Sequence, residues 1–152
     1  MYKFFLVFLM SFLSAQQKCN LSFFNNPYLH DGKIIFRIQN SSNGKVKVPI
    51  LFNAEFARPT DIQIYSSESK KYIASKYSFD GTLCGDPKQC FGKMVRLKKG
   101  EKREYEVKII PGRISGAFKE KKKYRFRLSF DTYFFSGCND YITDWLYYDN
   151  TN

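Results

Sequence analysis

The stretch Tyr124-Arg125-Phe126-Arg127-Leu128-Ser129-Phe130, YRFRLSF, alternates apolar with polar residues from end to end. In an extended chain successive side chains point to opposite faces, so Tyr124, Phe126, Leu128 and Phe130 share one face and Arg125, Arg127 and Ser129 the other. That pattern predicts a strand in an antiparallel sheet with one buried and one solvated side. The same period recurs upstream. Arg103 to Ile109 turns Tyr105, Val107 and Ile109 inward and Glu104, Glu106 and Lys108 outward, between the turn Lys98-Lys99-Gly100-Glu101 and the breaker Pro111-Gly112. Lys33 to Ile38 places Ile34, Phe36 and Ile38 on one face. Lys45 to Phe52 does so with Val46, Val48, Ile50 and Phe52, and Pro49 marks an edge or bulge there. Asp61 to Tyr65, Lys71 to Phe79 and Met94 to Leu97 read as further strands, and Arg113 to Lys123 as a loop or one helical turn. Short strands spaced by turn signals predict an all-β sandwich or barrel, and no long run has a helical period.

The order from Val95 to Phe130 is strand, Lys-Gly-Glu turn, charged alternating strand, loop, then YRFRLSF. It resembles the late strands of secreted immunoglobulin-like domains, and Tyr124 stands where such domains carry a tyrosine-corner residue. The resemblance implies an immunoglobulin-like antiparallel β-sandwich of about seven strands. The family's Cys…Trp…Cys spacing is absent, since Trp145 lies near the C-terminus.

The first fifteen residues, MYKFFLVFLMSFLSA, place Lys3 before an apolar run from Phe4 to Leu13 and end on Ser14 and Ala15. Such a segment predicts an export signal, too short to span a bilayer, cleaved after Ala15. Residues 16–152 then form a single domain, secreted or periplasmic, with no transmembrane segment after cleavage. Cys19, Cys84, Cys90 and Cys138 are the four cysteines, and an oxidising compartment turns them into disulfides. Four cysteines allow three pairings. Proximity favours Cys84–Cys90 across the turn Gly85-Asp86-Pro87, which leaves Cys19–Cys138. A zinc knuckle wants two to four residues between ligands and a redox pair wants two, whereas CGDPKQC places five between its cysteines.

Chemistry-bearing motifs are sparse. The one histidine, His30, adjoins Asp31, but neighbours on an extended segment point apart, and Asp31-Gly32 marks a turn before a strand. Neither a phosphate-cradling glycine loop nor a paired-histidine motif is present, so neither catalysis nor a cofactor or metal is expected. The formal charge of +11 points to acidic partners. Its densest run gives an anion-binding candidate: Lys119, Lys121, Lys122, Lys123, Arg125 and Arg127. A second basic turn, Lys98, Lys99, Lys102 and Arg103, joins it if both fall at one end of the fold. The competing reading is a solvated face that resists aggregation. Near the C-terminus Trp145, Tyr147 and Tyr148 are candidates for stacking on a sugar ring, and Asp140, Asp144 and Asp149 for calcium, although the EF-hand order is missing. Asn20 and Asn40 begin glycosylation sequons. Together these features predict a non-catalytic exported binding domain at the cell envelope or outside the cell. Its partner is an envelope or secreted protein, or an acidic glycan or lipopolysaccharide, rather than nucleic acid. The alternatives are an inhibitor of a secreted protease or other enzyme acting through CGDPKQC, and a carbohydrate-binding module.

Overall fold

The computed structural model describes residues 19–27, 29, 31–52, 56–77, 91–110 and 116–151. The export segment, His30 and the CGDPKQC stretch with Cys84 and Cys90 lie outside the described residues. The chain is all-β with antiparallel sheets. Its strands are β1 (Leu21–Asn25), β2 (Lys33–Asn40), β3 (Val46–Pro49), β4 (Ala57–Ser66), β5 (Lys71–Ala74), β6 (Met94–Leu97), β7 (Lys102–Lys108), β8 (Lys123–Phe130), β9 (Tyr141–Ile142) and β10 (Leu146–Asp149). A short helix, α1 (Tyr133–Ser136), follows β8. One sheet has the order β1-β2-β7, a second β10-β8-β4-β5 with β9 also on β8, and β3 pairs with β6. No helix among the described residues is long and apolar enough to cross a membrane.

The two larger sheets face each other across an aromatic core. Phe36 of β2 stacks on Phe130 of β8 with ring centroids 4.1 Å apart. Ile34, Phe36 and Ile38 from one sheet and Tyr124, Phe126, Leu128 and Phe130 from the other are fully buried, as the alternation predicts. Burial of each such side chain stabilises the fold by about 1.5–3 kcal/mol before conformational entropy is counted. The polar ends of the buried tyrosines are satisfied by backbone. The Tyr124 hydroxyl donates to the Glu120 carbonyl at 3.0 Å. That of Tyr105 donates to the Pro49 carbonyl at 2.7 Å, tying β3 to β7. A disulfide joins Cys19 to Cys138, 119 positions apart, and fastens the chain ahead of β1 to the turn between α1 and β9.

Asp31 and Gly32 both adopt positive φ, 49° and 72°, which is the turn that Asp-Gly suggests. The Gly32 carbonyl accepts from the Ile109 and Ile110 amides at 2.7 and 2.9 Å. A β-carbon on Gly32 would lie 2.5 Å from the Ile110 oxygen, so this turn locks the start of β2 to the end of β7 only with glycine there.

Four details differ from the sequence expectation, one being that the strand opened by Lys71 ends at Ala74. Ten strands are described rather than about seven. The run from Lys45 ends as a strand at Pro49, so Phe52 is buried but Ile50 is exposed. The strand through Asp61–Tyr65 begins earlier, at Ala57, and runs through Pro59. Pro59 is tolerated because that half of β4 pairs only with β8, while β5 joins further on at Gln63. Between the halves the register shifts, and Asp61 takes a φ of 51°.

Asn40, at the end of β2, is buried and makes a full set of hydrogen bonds. Its amide donates to the Gly44 and Leu97 carbonyls at 2.7 and 3.0 Å, and its oxygen accepts from the Ser42 amide and hydroxyl at 2.9 and 2.8 Å. That leaves the Asn40 sequon no free amide to modify in the folded chain. Asn40→Ala strands several of these groups and is expected to lower stability by about 2–3 kcal/mol in denaturant titration.

Candidate functional site

The outward residues of β8 define the site. Lys123, Arg125 and Arg127 leave the sheet on its solvent side, and the register carries the row across four strands: Tyr147 opposite Arg125, Arg125 opposite Gln63, and Gln63 opposite Ala74. On β4 and β5, Tyr65 pairs with Tyr72, and their rings meet edge-on at 5.4 Å. The Tyr72 ring in turn lies 6.1 Å from that of Tyr147. Trp145 completes the face. The short link from β9 to β10 is pinned by Thr143, whose amide donates to the Leu128 carbonyl at 2.9 Å and whose hydroxyl oxygen accepts from the Leu128 amide at 3.0 Å. The Thr143 hydroxyl thus stands in for a strand carbonyl and delivers Trp145 to the outer face.

The result is an alternating stack of rings and cations. The Arg125 guanidinium lies 4.6 Å from the Tyr72 ring centre and 4.5 Å from that of Trp145, and the Arg127 guanidinium lies 4.9 Å from Trp145. Each such contact contributes about 0.5–1 kcal/mol at an exposed site and more where water is excluded. Arg125 also donates from Nε to the Gln63 Oε1 at 2.7 Å. Arg127 Nε is buried without a hydrogen-bond partner. Among the described residues neither guanidinium meets a carboxylate. The opposite outer face, on β2 and β7, is built differently: Lys33 pairs with Glu106 at 2.6 Å and Arg37 with Glu104. One sheet pairs two of its outward cations with carboxylates, whereas the other sets Arg125 between two rings and Arg127 against one.

The structure divides the basic run that the sequence groups together. Lys122 pairs with Glu120 at 2.7 Å and Lys123 with Asp149 at 3.4 Å. Lys122, and then the Tyr77 hydroxyl, hold the Glu120 carboxyl below its ordinary range. Lys121 is exposed, and Lys119 turns to a cavity of about 630 Å³ that also touches Lys108, Ile110, Phe118 and Tyr148. The second basic turn does not join the first. It opens β7, whereas Lys119 lies by Lys108 at the end of β7, roughly 20 Å along the strand. Of the aromatic candidates, Trp145 and Tyr147 belong to the outer face. Tyr148 points inward, with its ring 6.2 Å from Tyr124 and 6.0 Å from Phe118, and acts as a core residue because it alternates with Tyr147 on β10.

The aspartates proposed for calcium are dispersed. Asp140 binds Arg58 at 3.0 Å, and Asp149 accepts from the Thr151 amide and hydroxyl. Among the described residues no three His, Cys, Asp or Glu side chains are placed to hold a metal ion. Gln63, Tyr65 and Tyr72 were absent from the candidates drawn from sequence. The alternation of Asp61 to Tyr65 puts Gln63 and Tyr65 on one face, but only strand pairing brings that face to Arg125. Comparison with known protein families, characterised proteins and solved structures gives no match to this chain.

Proposed function

We propose that this chain is an exported, non-catalytic binding domain of immunoglobulin-like architecture, which engages an anionic ligand through the outer face of its five-stranded sheet. The observation that carries the reading is the Tyr72–Arg125–Trp145–Arg127 stack, with two guanidiniums that meet no carboxylate among the described residues. A guanidinium that stacks on a ring still has in-plane N–H donors for a fork-like contact with an oxyanion. The architecture is supported by strand order. With β1, β2, β4, β5, β6, β7, β8 and β10 taken as A, B, C, C′, D, E, F and G, the sheets read A-B-E and G-F-C-C′. The hydrogen bond from Tyr124 to Glu120 matches a tyrosine corner at the start of F. The departure is β6, which pairs with β3 instead of β7. Export is supported by the Met1–Ala15 pattern and by a disulfide between Cys19 and Cys138.

Two charge-matched variants test the site. Arg125→Gln/Arg127→Gln and Lys122→Gln/Lys123→Gln remove the same charge, so general attraction to a polyanion falls equally in both. On an immobilised heparin surface at about 0.15 M salt the arginine pair is expected to weaken binding about tenfold more than the lysine pair. Equal losses would reduce the face to a solvated surface.

A further inference from the structure

We infer that the anion recognised by this face is an acidic polysaccharide, with pyranose rings seated on the tyrosines and sugar carboxylates on Arg125 and Arg127. This rests on the anion-binding reading above and names its ligand class. The face is extended: Tyr147, Arg125, Gln63 and Ala74 lie in register across four neighbouring strands, a row about 14 Å long at the ordinary strand spacing. Such a row suits an extended polymer rather than a small enclosed anion. Tyr147 ends the row on one side and Ala74 on the other, Arg125 lies within it, and Tyr65 and Tyr72 form the next rung. Tyr147 is 57% exposed and Tyr65 37%, and the Tyr72 ring lies between them.

Rings left in water at this density call for a partner with apolar surface. A free phosphate or an acidic peptide satisfies the guanidiniums but leaves the tyrosines uncovered. An acidic sugar offers both chemistries in one unit, a C–H face for the ring and a planar carboxylate for the guanidinium fork. Gln63, whose oxygen already holds Arg125, adds an amide for a sugar hydroxyl. The net charge of +11 complements a polyanion over a longer range.

Trp145 is the single tryptophan, so emission excited beyond the tyrosine absorption band reports on this face. The exported protein is titrated at about 0.15 M salt with an oligogalacturonate and, separately, with poly-L-glutamate of the same length. The oligogalacturonate is expected to change Trp145 emission saturably and to bind about tenfold more tightly than poly-L-glutamate. Tyr72→Ala/Tyr147→Ala preserves charge and is expected to remove that preference while poly-L-glutamate binding persists. Circular dichroism and thermal melting of the variant check that it remains folded, and Tyr147→Ala alone serves if the pair does not. Equal affinity for both polymers, or a preference that survives loss of the tyrosines, overturns the glycan inference and leaves the anion-binding reading standing. If neither polymer binds saturably, both readings fall.

Discussion

Replacing Cys19 and Cys138 together by serine is expected to lower the unfolding free energy by about 4–5 kcal/mol. The bridge spans 119 positions, nearly the whole described chain, so its loss frees a long loop in the unfolded ensemble. In the chain-entropy description the cost of closing a loop grows with the logarithm of its length, which places a bridge of this span near the upper end of the usual range. The native state also loses a fastening, because β1 is an edge strand held on one side by β2. Guanidinium titration of the variant against the oxidised parent, at matched pH and without reductant, gives the difference. A loss below about 1 kcal/mol would mean that the unfolded chain is already compact around this closure.

Arg58→Ala is expected to cost about 3–4 kcal/mol, the next largest effect. Asp131 directly follows β8 with a side chain only 3% exposed, and Arg58 reaches it at 2.5 Å from the neighbouring strand β4. The same guanidinium holds Asp140 at 3.0 Å, and Asp140 accepts the Tyr133 amide at 3.1 Å. Removing the cation takes from a buried carboxylate the counter-charge that Arg58 supplies and loosens the turn that carries α1 and β9. Weakening the compensation of a buried charge costs more than the pair's net worth. The variant Arg58→Met/Asp131→Leu should therefore be more stable than Arg58→Ala alone, and a double-mutant cycle in urea measures the coupling. Additive losses would show that the pair is screened despite its burial.

The all-β class and the inward set were legible in the chain because a period of two is a property of the strand itself. Tyr124, Phe126, Leu128 and Phe130 had to share a face once YRFRLSF was extended, and the same holds for Ile34, Phe36 and Ile38. The turn at Asp31-Gly32 was equally local, since it depends on which residues tolerate positive φ. The charged run was not resolved in the same way. Nothing local distinguishes Lys123, which meets Asp149 on the adjacent strand, from Arg125, which meets Tyr72, Trp145 and Gln63. Which charges are neutralised depends on register between strands distant in sequence. The short strands β9 and β10 escaped notice for a related reason. Thr143, Asp144 and Trp145 interrupt their alternation, and only the Leu128 backbone, bonded to Thr143, shows that the chain never leaves the sheet. Alternation assigns a side chain to a face; pairing between strands decides what it meets there.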